Sequence, residues 1–239
     1  MATTQSEMGH NRTGIATSPK LTQEMVASTQ QFAPTPGGDE SIIAQVRQEY
    51  ALEADPIGSV PPPLTLTGAA KTAVRGMTGA RPTHFVDKLG ERLAFERTGV
   101  RLYGALISKF DAYDTFAGGP TRESLVEIMN QEHQHFALLS DAVTQLGGDP
   151  TVVTPSADLH ATMTAGVMAV MVDPRTNLVQ CLEAALLAEL ADNAAWEVLA
   201  ELAEQNGEEE LAAAFETARA QELVHLETVQ SWIAAAQKR

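Results

Sequence analysis

The chain has 239 residues and 44% apolar content, enough for one large domain with a real core, or one domain carrying an appendage. A net charge of −15 excludes the basic surface that nucleic-acid binding requires. The single cysteine, Cys181, excludes an internal disulfide, a cysteine-rich zinc site and an iron–sulfur cluster.

Residues 1–82 read as an N-terminal extension. They hold seven acidic and six basic residues, so the remainder carries nearly all the negative excess. They are rich in Thr, Ser, Gly and Pro, with Pro34-Thr35-Pro36-Gly37-Gly38 and Pro61-Pro62-Pro63 as breakers. One amphipathic helix is predicted at Ser41–Glu53, with Ile42, Ile43, Val46 and Tyr50 on one side, and a weaker one at Gly68–Arg75. The rest is expected to be weakly ordered, or a docking arm for a partner or neighbouring subunit.

Four long helices and one short one are predicted over 83–239. The first runs from Thr83 with a stripe of Phe85, Leu89, Leu93, Glu96, Val100, Tyr103, Ile107 and Phe110, followed by an irregular connection at 111–120. The second opens at Thr121 and closes at Gly147-Gly148. A Met-rich helix capped by Ser156 extends to about Val172, and Asp173-Pro174 is read as the start of the third long helix. That helix stops at Asn206-Gly207, and the fourth fills the remainder. Two helical hairpins joined by a long crossover make an all-α four-helix bundle. The run 161–172 is too short to span a bilayer and no leader pattern is seen, so a soluble, cytoplasmic protein is expected, with no membrane partner.

Two motifs carry the chemistry. Glu132-x-x-His135 and Glu222-x-x-His225 each put a carboxylate and an imidazole on one helical face. Both interrupt stripes otherwise made of Leu125, Ile128, Leu139 and Val143, or of Leu211, Phe215, Val229 and Trp232. A buried carboxylate needs a partner or a metal. Glu96 and Glu189 occupy core positions on the helices preceding each motif. Glu189 lies 18 residues before Gly207 and Glu222 lies 15 after it, so the two share one height in the bundle. Glu183 lies six residues further along and is the weaker candidate. Asp192 and Asn193 are candidates to orient these groups, and Tyr103 for core packing before a redox relay. His10, His84, His133 and His160 are assigned no role, and Met163, Met168 and Met171 are read as packing.

Four carboxylates and two imidazoles suit two first-row metals, iron first and manganese as the alternative. A Glu from each of two helices and a Glu-x-x-His from each of the other two is the pattern of di-iron and di-manganese carboxylate bundles. From Thr83 to Arg239 the sequence therefore resembles the ferritin-like superfamily, including bacterioferritins and rubrerythrin-type proteins. The resemblance implies a metal set of Glu96, Glu132, His135, Glu189, Glu222 and His225. Glu132 and Glu222 would bridge, and Glu96 with His135 and Glu189 with His225 would be terminal. It also implies redox chemistry with O2 or H2O2, with a manganese-catalase-like enzyme and a non-catalytic helical interaction module as alternatives, and leaves self-association open. One departure is plain: a rubrerythrin's cysteine-rich iron module cannot be built from one cysteine.

Overall fold

A computed structural model describes residues 19–32, 41–55, 57–58, 60 and 82–238, and among these every regular element is helical. The chain divides into two units, Met1–Asp55 and Pro56–Arg239. The first contains α1 (Pro19–Gln31) and α2 (Ser41–Glu53), the latter at the predicted bounds. α1 was not anticipated, although Pro19 at its first position is a start signal. Neither helix buries a residue, and Met25, Val26, Ile42, Ile43 and Tyr50 are exposed. The helix expected at 68–75 lies outside the described residues.

The second unit holds α3 (Pro82–Tyr113), α4 (Arg122–Gln145), α5 (Pro155–Val172), α6 (Leu178–Gln205) and α7 (Glu209–Ala236). Thr121 caps α4 as expected, its hydroxyl accepting from Ser124 N while Ser124 Oγ accepts from Thr121 N. Two starts differ from the sequence reading. α5 is capped by Thr154 with Pro155 at its first position, not by Ser156. Ser156 instead donates to Asp87 on α3, which also accepts from its backbone N–H. α6 begins after Asn177, whose capping box with Gln180 outcompetes Asp173-Pro174. Asp173 becomes the C-cap of α5 and is bound by Arg175. The α6–α7 turn closes on Gly207 at φ +73°, where Glu208 N–H donates to Ala203 O and Gly207 N–H to Glu204 O. A left-handed residue is needed there, and glycine adopts it without strain.

Helix directions follow from the cross-helix pairs. Along α3, Arg92, Tyr103 and Lys109 meet Asp192, Glu189 and then Thr176, so α3 and α6 are antiparallel. On α4, Gln131 and His135 meet His225 and Gln221 of α7, so these are antiparallel too. Since α3 is also antiparallel to α4 across a short link, α4 and α6 run the same way. The connection between them must therefore travel the bundle's length, and α5 does so alongside α3. His160 of α5 sits buried against Glu91 at 3.4 Å, with its ring edge-on to Phe95.

The core lies in two clusters, one around Leu102, Leu106, Leu125, Leu182 and Trp232, the other around Phe85, Leu89, Leu139, Trp196 and Phe215. Between them sits a layer of buried polar side chains. α3–α6 is a close contact, whereas α4 and α7 approach only sparsely.

Candidate metal centre

Glu96, Glu132, His135, Glu189, Glu222 and His225 are each at most 4% exposed. Each stands on an apolar stripe of its helix, so packing the stripes inward carries them into the middle of the bundle. Potential ligand atoms of Glu132, Glu189, Glu222 and His225 lie within 4.8 Å of one another, as do those of Glu96, His135 and Glu222. A third such set joins Glu96, Glu132, Asp192 and Glu222. Glu96 with His135 thus occupies one side and Glu189 with His225 the other, and Glu132 and Glu222 stand between. Glu183 is on the exposed face of α6.

Neighbouring side chains hold this layer in place. His225 Nδ1 lies 2.9 Å from Glu222 Oε2 and 3.4 Å from Glu132 Oε1. His135 Nδ1 lies 2.6 Å from Glu222 Oε1, but not in hydrogen-bonding geometry, so both atoms remain unsatisfied. Asn193 Nδ2 donates to the backbone carbonyls of Glu189 and Glu222, 3.0 Å each, which pins the two carboxylates at one height. Tyr103 is buried and its hydroxyl donates to Glu189 Oε1.

Several contributors escaped the sequence reading. Asp192, an orienting candidate from the sequence, joins the carboxylate cluster itself and forms a buried ion pair with Arg92. Arg92 is 1% exposed, one turn before Glu96, with its guanidinium 4.2 Å from the Phe95 ring centre. Gly99 supplies the space for Glu132: a β-carbon there would lie 2.1 Å from Glu132 Oε2. Gln131 and Gln221, each just before the motif glutamate, accept from the imidazole of the opposite motif, at 2.7 Å from His225 Nε2 and 3.2 Å from His135 Nε2. The repeat of Gln-Glu-x-x-His at 131–135 and 221–225 is the sequence signal for them.

Burial drives the electrostatics. It raises Glu96, Glu132 and Glu222 well above the usual carboxylate range, and the neighbouring carboxylates raise them further. Glu189 is pushed up to about 8 by burial, against the hydrogen bond from Tyr103. Burial depresses both imidazoles, His225 to about 3. In the metal-free layer burial thus favours the neutral form of the carboxyls and of the imidazoles alike.

The donor set fits divalent metal ions. Both oxygens of Glu96, one of Glu189, one of Glu222 and His135 Nδ1 are buried without a hydrogen-bond partner. Buried polar atoms left unpaired at this density call for a ligand. Hard carboxylate oxygens with imidazole nitrogens are the donors iron and manganese take.

No family model and no curated protein matches the sequence. The fold is similar to a crystal structure described as "ferritin like, diiron-carboxylate proteins from Bacillus anthracis str. Ames". The likeness covers 63% of this chain and 95% of that one, at 20% identity and a TM-score of 0.47.

Proposed function

We propose that the protein is a ferritin-like dinuclear metal protein, with iron as the first candidate and manganese the alternative, that reacts with O2 or H2O2. The observation that carries this is the buried layer itself. Four glutamates and two histidines from four helices converge, with carboxylate oxygens that have no well-formed hydrogen bond among the described residues. Glu96 and His135 would hold one ion, Glu189 and His225 the other, and Glu132 and Glu222 both. Bound as a reduced pair, the metals would supply the electrons that the oxidant takes up.

The chain's own groups do the rest. Metal binding takes the ionised form of carboxyls whose neutral form burial favours, so loading is coupled to proton release. Once ionised, the four glutamates carry negative charge that offsets most of the charge of two divalent ions. Tyr103 donates to Glu189 Oε1, leaving the other oxygen for a metal. The apolar clusters above and below keep water from the layer.

Reconstitution with Fe(II) in the absence of oxygen, followed by elemental analysis, tests the reading. About two metals per chain are expected, with oxidation on adding O2 or H2O2. A folded helical protein that retains neither iron nor manganese would overturn it and leave a helical interaction module.

A further inference from the structure

We propose that Gln131 and Gln221 are positioning residues for the metal centre, each fixing the imidazole of the opposite motif so that Nδ1 is the bare donor atom. The metal part of this inference rests on the proposed function; the tautomer part does not. Gln131 sits on α4 and its Oε1 accepts from His225 Nε2 on α7 at 2.7 Å. Gln221 sits on α7 and its Oε1 accepts from His135 Nε2 on α4 at 3.2 Å. The exchange is reciprocal, and it arises because the two Gln-Glu-x-x-His motifs face one another antiparallel. An amide oxygen can only accept, so each Nε2 must carry the proton. In a neutral imidazole Nδ1 then keeps its lone pair, and Nδ1 is the atom that faces Glu222 in both rings.

The placement adds a second consequence. α4 and α7 are the sparsely packed pair of the bundle, and both glutamines are only partly buried. Each glutamine is thus more exposed than the buried imidazole it meets. Each histidine's orientation depends on a residue of the helix opposite, so the two halves of the centre are interlocked across the seam. An orienting hydrogen bond of this kind is typically worth about 10–100-fold in metal affinity.

The test uses the full chain labelled with 15N-histidine, metal-free for ring-nitrogen NMR and then titrated anaerobically with Fe(II). Wild type should show His135 and His225 protonated at Nε2. Gln131→Leu should disturb the tautomer of His225 and not His135, Gln221→Leu the reverse, each lowering Fe(II) affinity about 10–100-fold. Gln131→Glu and Gln221→Glu retain an acceptor oxygen and should restore both readouts. If either leucine variant loses helicity, the corresponding alanine variant carries the same test. Unchanged tautomers and affinity in the truncating variants, or a response from the histidine on the same helix, would overturn the proposal. Tautomers as stated in a wild-type protein that binds no Fe(II) would uphold the positioning and remove the metal reading.

Discussion

Gly99 and Glu132 interlock: the carboxylate of Glu132 fills the space a β-carbon on Gly99 would take, with Oε2 2.1 Å from that position. Glycine in a helix interior is about 1 kcal/mol worse than alanine, so a packing or functional reason is needed to keep it in the middle of α3. Gly99→Ala should give the helix back that propensity while pushing Glu132 aside, since the far end of its side chain is the part that can yield. We expect a folded helical protein with clearly reduced metal content. Circular dichroism with elemental analysis checks this, and full metal loading in the variant would contradict it.

Glu189→Ala should abolish dinuclear loading, whereas Glu183→Ala should largely spare it. Glu189 is buried among the other carboxylates and held level with Glu222 by Asn193, while Glu183 faces outward. The metal-free Glu189→Ala protein is expected to melt no lower than wild type above neutral pH, because one fewer carboxyl must be kept protonated. Metal content and melting temperature of the two variants decide it; the reverse pattern would mean that Glu183 supplies the ligand.

Stability of the metal-free protein should fall as pH rises from 6.5 to 8. Glu189 titrates near 4.5 in an unfolded chain and near 8 in the fold, because burial favours its neutral form. The stability this represents is complete below 4.5 and is lost as pH climbs towards 8, at about 1.4 kcal/mol per pH unit for one group. His225 has the opposite sign: depressed from 6.5 to about 3 by burial, its contribution is present above 6.5 and is lost as pH falls towards 3. Above 6.5 only the carboxyl effect operates. Metal ions need the ionised carboxylates, so the stabilisation they give should grow over the same window. Thermal melts with and without Fe(II) measure both slopes, and a metal-free melting temperature that rises with pH would refute the assignment.

Arg92→Leu should destabilise the protein by about 3–5 kcal/mol, because it strands Asp192 as an unpaired buried carboxylate beside Glu96, Glu132 and Glu222. Adding Asp192→Asn should recover much of the loss. Chemical denaturation of the single and double variants gives the coupling, and additive losses would show that the pair is not the cause.

A chain beginning at Arg81 should keep both the bundle and its metals, since every candidate ligand and all four long stripes lie beyond Thr83. α1 and α2 bury no residue of their own. Lost helicity in α3–α7 or lost metal would place residues 1–80 in a structural role.

The long helices of the second unit and the face each carboxylate takes are legible in the sequence. A charged residue inside a 3.6-residue apolar stripe is visible locally, and a turn such as Asn206-Gly207 lets heights be counted on either side, which separated Glu189 from Glu183. Helix starts were less legible where two signals competed. Asn177 with Gln180 beat Asp173-Pro174 because a reciprocal capping box satisfies two backbone donors, and Thr154 beat Ser156 because Asp87 on another helix claimed the serine. The partners of the centre come from tertiary packing. Arg92 reaches Asp192 across 100 residues of sequence, and Gln131 reaches His225 across 94. Gly99 matters only because Glu132 comes to rest against it. Such pairings depend on which helices become neighbours and in what direction they run. Link lengths indicate the crossover and hence the directions, but which side chains meet across the helices depends on packing that no local spacing records.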